Sequence, residues 1–158
     1  MAELLSIISQ NKRETVRHTS AFGTRGEILA AEFIEREGYR IVMANFKAPI
    51  GRNSKGVQVT GEIDLIALDG ETVCFIEVKT RRSEEFGGPL AAVDLRKQRQ
   101  IIRTARVYKR LFGLKEIKQR FDVVSVLLEK GSEPRIELWQ GFWTEGKFKK
   151  PTWNYEIW

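Results

Sequence analysis

Residues 61–80 read GEIDLIALDGETVCFIEVKT, and their patterning decides the fold. Two apolar runs flank Asp69-Gly70, a pair that tolerates positive φ and marks a tight β-hairpin. Strands are expected over 61–68 and 72–80. Side chains alternate along a strand. Glu62, Asp64, Ile66 and Leu68 then share one face, as do Phe75, Glu77 and Lys79 on the second strand. A two-residue loop at Asp69-Gly70 pairs Asp64 with Phe75 and Glu62 with Glu77. A four-residue loop from Asp69 to Thr72 pairs Asp64 with Glu77 instead. Either register turns Glu62, Asp64, Glu77 and Lys79 the same way, with the Asp64 and Glu77 Cβ atoms within roughly 8 Å. The alternate positions Ile63, Leu65, Ala67, Cys74, Ile76 and Val78 are apolar too, as in strands covered on both sides.

Acids at one end of such a hairpin repel one another, and burial disfavours their ionisation. A divalent cation resolves the conflict by supplying opposite charge and taking oxygen ligands. Asp64 and Glu77 are the candidate metal ligands, and Mg²⁺ or Mn²⁺ the expected cofactor. That centre suits phosphodiester hydrolysis, since a bound metal polarises the phosphate and acidifies water. Lys79 would orient the water or stabilise transition-state charge. The competing reading is a hairpin whose charged end faces solvent, with Lys79 in a surface ion pair.

Outward from the hairpin, residues 27–37 place Leu29, Ala30, Phe33 and Ile34 at helical spacing, with Ser20 as a candidate cap and Gly38 as the stop. Residues 39–46 are β-rich without strict alternation. Residues 47–60 hold Pro49, Gly51 and Gly56 and read as a loop or extended hairpin. Residues 82–89 form a loop, and 90–111 a helix with a candidate break near Asp94. Strands follow over 121–128 and 135–138. The order gives an α/β fold: a mixed central sheet flanked by helices. Residues 1–19 are expected to be a flexible basic arm, 20–140 the domain, and 141–158 an extension rich in Trp and Lys.

With 158 residues, the chain suits one domain that folds without staples. Its net charge of +6 favours a polyanionic partner, nucleic acid before an acidic membrane surface. One cysteine, Cys74, and one histidine, His18, exclude an internal disulfide and a Cys- or His-rich zinc site. Neither a secretory signal nor a membrane span is apparent, so a cytoplasmic protein with no membrane partner is expected.

Asp64, twelve intervening residues and then Glu77-Val78-Lys79 resemble the PD-(D/E)XK nuclease signature. The resemblance is closest to the YraN-like family of predicted endonucleases. It rests on Gly23-Thr24-Arg25-Gly26-Glu27, Gly61-Glu62-Ile63-Asp64-Leu65-Ile66, Phe75-Ile76-Glu77-Val78-Lys79-Thr80-Arg81, Lys97-Gln98 and Arg120-Phe121-Asp122-Val123-Val124. It spans about residues 20–127; Ile63 replaces the proline of the signature's name, and the 47–60 segment and the tail depart from the family. The resemblance implies a restriction-endonuclease-like αβββαβ core, related to archaeal Holliday-junction resolvases, and a DNA endonuclease acting on branched or structured DNA. It further implies Glu27 as an additional catalytic and metal-site acid and, by analogy, a homodimer. Glu62 and Gln98 are supporting candidates, Glu62 equally a candidate for a salt bridge.

The second long helix carries Arg99, Arg103, Arg106 and Arg110 in one stripe, with Ile101, Ala105, Tyr108 and Phe112 on another face. The nucleic-acid-binding candidates are Arg81, Arg82, Lys97, Arg99 and Arg103; the alternative is a solvated helix face. The rival function is a non-catalytic nucleic-acid-binding module of the same fold.

Overall fold

The computed structural model describes residues 24–84 and 93–148. The expectations for the 1–19 arm, for Ser20 as a cap and for residues 149–158 lie outside them.

Helix α1, Arg25–Arg36, starts from Thr24. The Thr24 Oγ1 accepts the Glu27 N–H at 3.2 Å, and Glu27 Oε2 accepts the Thr24 N–H at 3.2 Å. This reciprocal box satisfies two helix-end donors. Gly38, at φ 93°, turns the chain out of the helix. Strand β1, Arg40–Arg52, and strand β2, Gln58–Asp69, follow. They carry the 47–60 segment outward as an extended hairpin. At its tip Asn53 Oδ1 accepts the Lys55 and Val57 N–H groups, both at 2.9 Å. Strand β3 is Thr72–Arg81 and helix α2 is Leu95–Leu111. Asp94 caps α2, its side chain accepting the Lys97 N–H at 2.8 Å. The described helix therefore begins at the point where a break was expected. Strand β4, Gln119–Leu127, strand β5, Arg135–Trp143, and a 3-10 turn over Glu145–Phe148 complete the order.

The five strands lie in sequence order in one sheet. All neighbours are antiparallel except β3 and β4, which run parallel because α2 makes the crossover between them. The two helices cover opposite faces. Ala30, Ala31 and Ile34 of α1 pack with Leu65, Ala67, Cys74, Ile76, Val124 and Val126. Ile101, Ile102, Ala105 and Tyr108 of α2 pack with Ile66, Leu68, Val73, Phe75 and Val123. β3 and β4 are thus buried on both sides, which is why their sequences run apolar without a polar face.

Two expectations are corrected. The β2–β3 turn is Gly70-Glu71, with Asp69 paired to Thr72 and Gly70 at φ 58°, so neither anticipated loop forms. The pairing Leu68 with Val73 belongs to the register that brings Asp64 opposite Glu77. Strict alternation also fails along β2. Phe46 pairs with Ile63 and Met43 with Ile66, yet all four belong to the α2-side core. Between them Asn45 takes φ 52°, and the facing step at Asp64 is where the face switches. Ile63 therefore leaves the Leu65 face assigned to it.

Candidate active site

β2 and β3 pair as far as Leu65 with Ile76. Beyond that point Asp64 Oδ2 accepts the Val78 N–H at 2.8 Å, so a side chain replaces the ladder bond that the splayed strands no longer make. Glu77 lies next to this opening and is 3% exposed. Its Oε1 meets Lys79 Nζ at 3.3 Å and Lys97 Nζ at 3.6 Å. Lys97 sits in the first turn of α2, where a cation opposes the helix dipole; Glu77 offsets that cost. Glu77 Oε2 is buried with no hydrogen-bond partner. Burial, and then the neighbouring Glu77 charge, push the Asp64 carboxyl up to about 7.

The sequence candidates disperse around this pair. Glu27 comes from the α1 face; its charge raises the Asp64 pKa, while its Oε2 is held in the capping box. Gly26 sets its position, because a Cβ there would overlap Thr80 Oγ1. Glu62 pairs across the strands with Lys47 at 3.6 Å; since alternation breaks at Asp64, the face argument does not carry Glu62 with Glu77. Gln98 is buried, its Nε2 donating to Val93 O at 2.9 Å while its Oε1 has no partner. Arg81 has a buried Nε with no partner, and Arg82 is exposed.

The α2 stripe is largely engaged within the chain. Arg99 lies 5.1 Å over the Phe148 ring. Arg103 donates to Ile50 O, and Arg106 pairs with Glu145. Gln100 adds a bond to Thr60 O at 3.3 Å. The stripe thus braces the β1–β2 hairpin and the 3-10 turn. Cys74 is buried packing, its thiol raised to about 12 by burial.

A divalent cation fits the donors present. Glu77 Oε2 is an orphaned buried oxygen, and Asp64 is a carboxylate that burial and Glu77 hold partly protonated near neutrality. Among the described residues no group of three or more His, Cys, Asp or Glu side chains forms a ready-made cluster. Magnesium, however, is commonly held by one or two carboxylates and completes its shell with water and substrate phosphate.

One group was missed in the sequence. Asp122, fully buried, accepts from Arg120 Nε at 2.8 Å, Gly141 N at 2.9 Å and Tyr39 OH at 3.2 Å. Arg120 also reaches Asp69 at 2.9 Å. Arg120-Phe121-Asp122 alternation was visible, but partners 51 and 83 residues away were not.

The model of the "Uncharacterised protein family UPF0102" matches residues 26–126. The chain belongs to this family. A UPF0102 protein of Geobacter sulfurreducens is 40% identical over 124 residues, covering 78% of this chain and 89% of its own. Another, from Chlorobium chlorochromatii, is 42% identical over 133 residues, covering 80% and 95%. UPF0102 residues 26–126 include both carboxylates, Lys79 and Glu27. The solved chain "Crystal structure of SSO0001" aligns at 18% identity over 90% of this chain and 64% of that one, with a TM-score of 0.33. No described helix is long and apolar enough to cross a membrane.

Proposed function

We infer that this UPF0102 chain is a Mg²⁺- or Mn²⁺-dependent DNA endonuclease of restriction-endonuclease-like architecture. The observation that carries the reading is Glu77: a buried carboxylate 3.3 Å from Lys79, with one unpartnered oxygen and a charge that raises the Asp64 pKa. The element order α1-β1-β2-β3-α2-β4 supports the architecture.

Asp64 and Glu77 would hold the cation from opposite sides of the strand opening, with Glu27 the third acid once it leaves its cap. Bound there, the metal would polarise the scissile phosphate and make water acidic enough to attack. Lys79 then balances charge that develops on the phosphate. Lys97 holds Glu77 in place and links the site to α2. A net charge of +6 draws the polyanionic substrate in. Cutting both strands of a branched substrate would require a second copy of the chain.

The test is a cleavage assay on labelled single-stranded, duplex, flap and four-way-junction DNA with Mg²⁺, Mn²⁺ or EDTA. Wild type should cut with either metal and not in EDTA. Glu77→Gln and Asp64→Asn should each lose about 10²-fold or more of the rate while remaining folded. Undiminished cleavage by both folded variants would sink the assignment. A second reading, a nucleic-acid-binding module without catalysis, is favoured by Lys97: a second ammonium already neutralises Glu77. It predicts shifted DNA and no product with any metal.

A further inference from the structure

A groove of about 490 Å³ opens beyond the ends of β3 and β4, between Arg25, Arg82 and the β4–β5 turn at Leu128–Ser132. Its charged lining is Arg25, Arg82 and Lys130 against a single acid, Glu129. Three described arginines elsewhere have acidic partners: Arg106 has Glu145, Arg120 has Asp69 and Asp122, and Arg135 has Glu84. Among the described residues no ion pair engages Arg25, Arg82 or Lys130. Three cations facing one open volume repel one another, and an anion relieves that repulsion.

We propose that this groove binds a backbone phosphate of the substrate strand, beside the phosphate that is cut. The inference rests on the nuclease reading for the word substrate. Arg82 lies three residues beyond Lys79, about 10 Å along an extended strand, which is within the reach of a neighbouring phosphate. Arg25 is fixed on the same side, because α1 begins with it and Gly26 seats that helix end on Thr80. The two guanidinium groups present planar forks that suit phosphate oxygens, and the positive end of α1 adds to the field. A strand crossing the sheet end therefore meets Lys79 on the α2 side and Arg82 with Arg25 on the α1 side.

The experiment compares three full-length proteins: wild type, Arg25→Gln/Arg82→Gln/Lys130→Gln, and Arg110→Gln/Lys115→Gln/Lys118→Gln as an equal change of charge on exposed residues elsewhere. Fluorescence anisotropy with labelled duplex DNA, in EDTA and over a salt series, gives the slope of log affinity against log salt. The groove variant should have a slope shallower by about 0.9 for each phosphate that is no longer neutralised, at an unchanged melting temperature. The control should keep the wild-type slope. Equal slopes in both variants would overturn the proposal, and so would poly-glutamate competing as well as DNA, which marks an acidic-protein site. A metal-dependent cleavage assay on the same proteins separates the two readings. Cleavage with an unaltered groove-variant slope sinks the groove alone. Binding with the expected slope change but no cleavage sinks the nuclease alone. Absence of DNA binding by wild type sinks both.

Discussion

At Asp64 burial and a neighbouring carboxylate act against ionisation, and the Val78 N–H acts for it. The folded carboxyl titrates at about 7, against about 3.9 in an unfolded chain. Between these values the folded state holds a proton that the unfolded state has released. This group's contribution to metal-free stability is therefore complete below about pH 4 and is lost as pH rises through about 7. Asp64→Asn keeps an acceptor for Val78 and removes the titration. In EDTA near pH 8 the variant should melt above wild type, by about 2–4 °C for each kcal/mol relieved. The gap should narrow as the pH falls and close below about pH 4. Adding Mg²⁺ near pH 8 should raise the wild-type melting temperature and leave Asp64→Asn nearly where it was. Parallel melting curves across this range in EDTA would show that Asp64 is not held against ionisation.

At the scale of elements, the approach of α1 to β3 is the critical contact. Gly26 lies inside the helix, where alanine would ordinarily add about 1 kcal/mol of stability. Here its Cβ would overlap Thr80 Oγ1 and stand 3.0 Å from Thr80 Cβ. Gly26→Ala should therefore lower stability by about 1–3 kcal/mol, the usual cost of overpacking. It should also slow cleavage, because Glu27 and Arg25 ride on that helix end. Thr80→Ala should restore most of both, a coupling that a double-mutant cycle in urea measures directly. Gly61 repeats the device on the other face, its absent side chain making room for Thr104. There the hairpin arms gain a brace from Arg103 and Gln100 of α2.

At the scale of the molecule, the buried Asp122 hub ties β4 to β5, to the residue before β1 and, through Arg120, to the end of β2. Asp122 pairs with Ile76, on the α1 side of the sheet, whereas Glu77 turns toward α2. Burial around this hub pushes the Tyr39 hydroxyl up to about 12. Asp122→Ala leaves Arg120, Tyr39 and the Gly141 N–H without their shared acceptor. It should cost about 3–5 kcal/mol, read as a lower urea midpoint. Cleavage per folded molecule, measured well below the melting temperature, should stay near wild type. A loss of activity as large as that of Glu77→Gln would place Asp122 within the chemistry instead.

What the sequence determined by itself was local: a hairpin between the two apolar runs, though its turn falls at Gly70-Glu71, and two amphipathic helices. Short-range patterning suffices for these because a strand has a period of two and a helix of 3.6. The face switch at Asn45 and Asp64 was not legible, since a non-glycine residue at positive φ leaves no mark in composition. Nor were the roles of single cations. Lys97 and Arg82 look alike in sequence, yet the α2 crossover brings one onto Glu77 while the other lines an open groove with Arg25 and Lys130. Asp122, Arg120 and Tyr39 likewise meet only in the folded chain, because the Tyr39 side chain, just before β1, reaches β4 across the two strands between them. Tertiary structure decided these, because the electrostatic fate of a charge depends on what is folded against it and not on its neighbours in the chain.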